Sequence, residues 1–399
     1  MIEDLRGNKY YRPMLWGGFI ICMAIFVWRG MLAVMDINWL SADDYLGYWA
    51  AGKVSINGGN PYDPMQLIKF QNEVGWPDDE AVIMWSPPWT LPVMMMFSLF
   101  SYPISRTIWL VASVILVFIS TNTLWKLYHG SERLRWASWL AGFTFLPVLD
   151  AFKKGQTGFL NLLGVVGFLY FLNAKKPWLA GISLALLVVK PHISYLFLIG
   201  VFIWAIHQRA WRILTSFTLT IIVSILLSWM ANPDVIEQYL LAVRSYPPSD
   251  WVTPTVGGIL RLLLGTEKFW LQFLSPLIGI LWLTLYWFRN RDNWNWLERA
   301  PLLILVSIVT SAYGWSFDQP VLLVAIIQIF AIISIRQLDL VSGIIISAYI
   351  LINLLDLISP PNEIWLWWLA PSLLLWYLVA QWLIKRSPDQ KTGQVELIN

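Results

Sequence analysis

Apolar runs close to the ~20 residues needed to cross a bilayer recur along the whole chain. They fall at about 14–35, 105–127, 136–149, 158–173, 177–189, 191–206, 211–230, 269–288, 300–316, 320–335, 338–358 and 363–384. The pattern predicts an all-α polytopic membrane protein with about 12 transmembrane helices. A further run at 89–100 is too short to cross, about 18 Å as a helix, and carries Pro92 behind Pro87-Pro88. It reads as a helix dipping into or lying on the outer leaflet, with Met94, Met95, Met96 and Phe97 meeting lipid. The first run is long enough to span and has no small-residue cleavage site after it, so it reads as a membrane anchor rather than a removable signal.

Charge fixes the predicted orientation. With the N-terminus inside, the short cytoplasmic segments hold 17 of the 27 Lys/Arg and 8 of the 24 Asp/Glu, a net of +9. The remainder is net −6. Basic residues retained in short inner loops are the positive-inside signature. Two long polar segments then face outward. The first, 36–104, starts with an acidic stretch and includes the short helices; the second runs from 231 to 268. A single transmembrane domain covers 1–384, and 385–399 is a polar cytoplasmic tail.

Composition agrees. The chain is 58% apolar and 13% charged over 399 residues, against about 25% charged in soluble domains. That excludes a soluble enzyme, a disordered chain and a nucleic-acid binder. Cys22 is the single cysteine, so neither a disulfide framework nor a cysteine metal site is available. Most of the 27 Trp belong to interfacial belts. Trp49, Trp85, Trp251 and Trp315 differ in lying beside polar segments on the outer side, where anchoring is one role and stacking on a ligand another.

The polar residues of the outer side carry the candidate chemistry. Asp43-Asp44 opens a short helix in which Tyr48 shares a face with Asp44 at i+4. Asp43 reads equally as that helix's N-cap or as an acid of the site. Gly58-Gly59-Asn60-Pro61-Tyr62-Asp63 then makes a tight turn. Lys190, followed by Pro191-His192, interrupts two apolar runs; it contacts a phosphate or substrate, or is a hairpin lysine that snorkels. Arg261 sits on an amphipathic segment, 256–264, with the fork geometry for a phosphate. Lys153-Lys154 beside Gln156 suits a phosphate or a lipid headgroup. Arg29 either pairs with Asp36, the favoured reading, or reaches a phosphate. His192 is a candidate acid/base or anion donor, Gln156 a polar contact or a tie to loop carbonyls, and Asp318 a polar or cation ligand, with Asp150 a weaker equivalent. No histidine metal site is credible, and no carboxylate spacing argues for a divalent ion.

Several motifs resemble glycosyltransferase family 87. They are Asp44 through Asp63 with its Tyr at +4 and Gly-Gly-Asn-Pro-Tyr-Asp turn, Trp85-Ser86-Pro87-Pro88, Gly155-Gln156-Thr157-Gly158, Gly181 with Val189-Lys190-Pro191, and Ser311-Ala312-Tyr313-Gly314-Trp315-Ser316-Phe317-Asp318. They occur in family order over about residues 40 to 325. Ala312 stands where Pro is usual, and Phe317 where Tyr or His is common. The resemblance implies a GT-C fold and inverting transfer of a hexose, mannose by analogy, from a polyprenyl-phosphate donor to a glycolipid or lipid-linked glycan at the outer face of the plasma membrane. It implies Asp44 as general base with Asp43 second; some GT-C enzymes hold a divalent ion on carboxylates, but the sequence itself argues for no cofactor. Lys190, Arg261, His192, Lys153 and Lys154 would meet the donor phosphate; Tyr48, Gln156, Asp318 and Trp85 would meet sugar or acceptor. The competing class is a transporter or flippase of lipid-linked saccharides, which should place its charges at mid-bilayer on repeat-related broken helices.

Overall fold

The computed structural model describes residues 43–245, 248–336, 339–360 and 362–386. The expected first span, with Arg29 and Asp36, and nearly all of the tail lie outside the described residues. Among the described residues every regular element is helical. Six helical stretches among the described residues are long and apolar enough to cross a membrane: Tyr102–Leu127, Trp211–Ala231, Phe269–Asn293, Ser316–Ser334, Leu340–Ile358 and Glu363–Arg386. Shorter apolar helices at Gly158–Asn173, Pro177–Val189 and Tyr195–His207 match three further expected spans.

Helices α1 (Asp43–Ile56), α2 (Pro64–Glu73) and α3 (Leu91–Ser98) precede the first long helix, α4 (Tyr102–Leu127). Asp63 caps α2, accepting from the Met65 amide at 3.0 Å, and Gly58 supplies the turn's positive φ of 73°. The eight-residue α3 is too short to cross, as expected, but it does not lie open to lipid. Gly52 of α1 lets it approach so closely that a Cβ there would stand 2.1 Å from Ser98 Oγ. Ser98 Oγ donates to the Trp49 carbonyl at 2.8 Å. Met94 is buried as a result, while Met96 stays exposed.

The stretch expected to be one span at 136–149 is two helices, α5 (Trp136–Thr144) and α6 (Leu146–Lys154). Pro147 cannot continue a helix inherited from α5, because it has no amide hydrogen and its ring clashes with the preceding turn. Phe145 is extended, and α6 starts afresh. Next come α7 (Gly158–Asn173), α8 (Pro177–Leu184), α9 (Tyr195–His207) and α10 (Trp211–Ala231). A Cβ at Gly164 would lie 2.9 Å from the Ser183 carbonyl, and one at Gly181 2.2 Å from the Ile213 carbonyl. Small residues thus let α8 sit deep between α7 and α10, the usual device where lipid offers no hydrophobic drive.

Between α8 and α9 the chain runs in 3-10 turns, Ala185–Val189 and Pro191–Ile193, on either side of Lys190. Proline disfavours the α conformation in the residue before it, and Lys190 leaves the helical region at φ −132° and ψ 75°. Its freed carbonyl accepts from Asn161 Nδ2 at 3.2 Å. After α11 (Val235–Ser245) and α12 (Val256–Leu264) the chain returns through α13 (Leu274–Asn290), α14 (Trp296–Val309), α15 (Leu323–Ser334), α16 (Leu340–Ile358) and α17 (Leu369–Arg386). A 3-10 segment, Ser316–Leu322, leads into α15.

Side-chain ties define two ends of the bundle. At one, Asn232 binds the Gly59 carbonyl, Ser316 binds Asp150, and Lys154 pairs with Glu363. At the other, Ser131 binds Ser334 and Arg336 binds the Ile384 carbonyl. That second end carries the basic connections.

Candidate active site

Four distant pieces of chain converge at the first end. Helix α1 presents Asp44 and, one turn on, Tyr48. Helix α6 stops at Gly155, which adopts the left-handed conformation (φ 62°, ψ 35°) that ends helices and that glycine adopts at no steric cost. The Gln156 amide closes the turn on the Ala151 carbonyl at 2.9 Å, and its side chain faces α1. The α8–α9 break supplies Lys190, and the segment before α15 supplies Asp318.

Gln156 joins them. Its Nε2 donates to Asp44 Oδ2 at 2.7 Å; its Oε1 accepts from Tyr48 Oη at 3.0 Å and from Lys190 Nζ at 2.5 Å. Lys190 Nζ also donates to Asp318 Oδ1 at 2.5 Å, and Asp318 Oδ2 accepts from the Trp315 amide at 3.0 Å. The orientation of the Gln156 amide follows from these partners, because only its oxygen can accept from an ammonium. Lys190 is 8% exposed and Asp318 is fully buried. A buried charge of this kind persists only when paired and hydrogen-bonded.

Opposing influences act on the Asp44 carboxyl. Burial comes first and lifts its carboxyl above the ordinary carboxylate value; the Gln156 hydrogen bond, Lys190 and Lys154 act against that rise and Asp318 adds to it. Asp44 is therefore a stronger base than a free aspartate.

A row of aromatic rings leads to the charged cluster. Trp85 and Trp251 meet edge to face at 5.1 Å, Trp251 and Trp315 at 5.9 Å, and Trp315 stacks on Phe317 at 5.7 Å and 7°. Above Phe317 stand Lys154 Nζ at 4.4 Å and Lys190 Nζ at 5.1 Å. Three of the four tryptophans singled out in the sequence thus share one wall. Trp49 does not: its Nε1 binds the Phe100 carbonyl at 3.1 Å inside the α1–α3 packing.

Other expected residues lie at the margin or elsewhere. Lys154 pairs with Glu363 and lies 3.9 Å from Asp150, whereas Lys153 points to the surface. Asp150 accepts from Ser316 Oγ at 2.5 Å. His192 follows the cluster's lysine; its carbonyl accepts from Ser311 Oγ at 3.0 Å, and its Nε2 is buried without a protein partner. Arg261 is not brought to the cluster. Its five N–H groups are engaged by the Ser249, Trp251 and Thr266 carbonyls and by Gln272 Oε1, which ties the second long loop together. Asp43 opens α1, and its side chain lies outside the described set. Among the described residues no three His, Cys, Asp or Glu side chains gather as a metal would need.

Sequence reasoning missed Arg106, buried in the first turns of α4 against α6. The signal was there: an arginine within an apolar run is costly and marks a role.

The chain matches the model of glycosyltransferase family 87 over residues 86–334. That interval contains Gln156, Lys190, Asp318 and most of the aromatic wall, whereas Asp44, Tyr48 and Trp85 precede it. No curated protein and no solved structure matches the chain. With more than half of its length matched, the chain belongs to glycosyltransferase family 87 and is a polytopic membrane glycosyltransferase.

Proposed function

We propose that this glycosyltransferase moves a hexose, mannose by family analogy, from a polyprenyl-phosphate carrier to a hydroxyl of a glycolipid or lipid-linked glycan at the outer face of the plasma membrane. Configuration at the sugar carbon inverts, and Asp44 is the general base. One observation supports this most directly: the two ends of a single amide, Gln156, hold a carboxylate and an ammonium. A base for the incoming hydroxyl and a cation for the departing phosphate are thereby set at fixed separation, beside an aromatic wall suited to a sugar ring.

In the step itself the acceptor oxygen attacks the sugar C1 as its proton passes to Asp44. The bond from C1 to the phosphate oxygen breaks, and its electron pair leaves on the phosphate. Lys190 and Lys154 offset that growing negative charge in a site where burial makes their field strong. Trp85, Trp251 and Trp315 bound the sugar, while Tyr48 and Asp318 hold the amide and the lysine in place.

The test is transfer by the purified protein, given polyprenyl-phosphate sugars and a membrane lipid extract, with wild type beside Asp44→Asn. Product from wild type and a loss of roughly 10²–10⁴ in the variant is expected for a missing general base. Equal rates would overturn the base assignment. No transfer from any donor, with lipid translocation in vesicles instead, would favour the transporter.

A further inference from the structure

We propose that Arg106 is a positioning residue for the Asp44–Gln156 pair, clamping the end of α6 to α1 so that carboxylate and amide meet. This rests on the reading of Asp44 as the base, but its test does not.

Arg106 Nη2 donates to the Phe152 carbonyl at 2.7 Å and to the Lys153 carbonyl at 2.8 Å. These belong to the last turn of α6, where carbonyls lack i+4 amide partners and a cation is favoured; the Phe152 carbonyl also accepts from the Gly155 amide at 3.3 Å. They precede Gln156 by four and three residues. The guanidinium carbon lies 5.5 Å from the ring centre of Tyr45, the neighbour of Asp44. Tyr45 is tied to α4 in turn: its Oη meets Ser105 Oγ at 2.5 Å, and its ring stacks on Trp109 at 5.8 Å. Gly155 seals the seam. A Cβ there would stand 2.5 Å from Tyr45 Cβ and 3.2 Å from the Arg106 guanidinium carbon. The arginine, the base's neighbour and the turn that aims Gln156 therefore touch with no room for a methyl group.

Filling space does not require an arginine here. Its Nε and Nη1 are buried with no partner, and an incompletely paired buried charge is a burden that an apolar side chain of similar volume would avoid. What the guanidinium adds is the grip on two carbonyls. The titratable groups around Asp44 are Tyr48 from α1, Lys154 from α6, Lys190 from the α8–α9 break and Asp318 from the segment before α15. Those around Arg106 are Tyr45 and Tyr102. Arg106 acts on Asp44 through Gln156, not as one more charge beside it.

Dicyclohexylcarbodiimide, an apolar reagent for protonated carboxyls, reads this without any donor substrate. The full-length protein is labelled across a pH series, and the Asp44 adduct is quantified by peptide mass spectrometry. Arg106→Met should raise the midpoint of Asp44 labelling by about one pH unit, the size expected when a hydrogen bond to the ionised form is lost. Gln156→Leu should raise it equally, and the double variant should go no further. Arg106→Lys, which keeps a cation at the end of α6 but not the planar grip, should fall between. A purely structural arginine would lower the unfolding temperature and leave the midpoint alone. An unmoved midpoint in Arg106→Met, or in Arg106→Lys where the methionine variant does not fold, overturns the proposal. So does a double variant displaced by the sum of the singles. Failure of the base reading looks different: Asp44→Asn would still transfer sugar, whatever the labelling shows.

Discussion

Gln156 carries no charge, yet it decides how the charged residues behave. Remove its amide and Asp44 loses its donor while Lys190 keeps only Asp318. Burial raises the Asp44 carboxyl, and in the proposed base role its active form is the deprotonated one. Transfer should therefore climb with pH through a midpoint above the ordinary carboxylate value and be lost below it, which an initial-rate pH profile will show. The same burial penalises the ionised form in the folded state. Asp44→Asn should consequently unfold at a temperature equal to or above that of wild type near neutral pH while losing transfer; a clear drop would mean that the carboxylate is structural. Lys190 makes the opposite case. Lys190→Met leaves Asp318 buried and uncompensated, a change worth about 3–5 kcal/mol, and Lys190→Met with Asp318→Leu should restore much of that stability. Transfer should return in neither, measured beside thermal unfolding of each variant.

At the scale of elements, the site exists because helices stop where proline and glycine require it. Pro147 splits a run that would otherwise cross in one piece, Gly155 turns the end of α6 toward α1, and Pro191 opens the chain at Lys190. Each interruption places a polar side chain at the same end of the bundle. Gly181 serves packing instead, 2.2 Å (as a Cβ) from the Ile213 carbonyl on α10. Gly181→Val should force α8 away from α10 and cost about 1–3 kcal/mol, the range for overpacking. Because α8 leads directly to Lys190, transfer should fall with stability, and the two should recover together when Ser216→Gly relieves part of the crowding. These breaks were legible as motifs. Their geometry was not, because a motif does not say which distant segment its side chain will meet.

For the molecule as a whole, the described charges divide between two ends, with the cluster at one and the basic connections at the other. On the positive-inside expectation, the cluster is the outer end in the proposed outer-face reading. In a Cys22→Ser background, a cysteine at exposed Asp79 should react with an impermeant maleimide on intact cells, and one at exposed Asp292 only after permeabilisation. The reverse pattern would place Asp44 inside and end the outer-face reading. Run length, charge asymmetry and ordered motifs were enough to specify an all-helical membrane chain, nine of the apolar helices among the described residues to within about five residues, and most of the polar residues that meet in the candidate cluster. Those properties are local or additive, so they can be read along a line. Tertiary structure alone decided that Gln156 bridges Asp44 to Lys190, that Arg261 spends its donors on its own loop, that α3 lies buried against α1, and that Arg106 backs the site. Each of these depends on which surfaces far apart in the chain come into contact, and packing, not spacing, sets that.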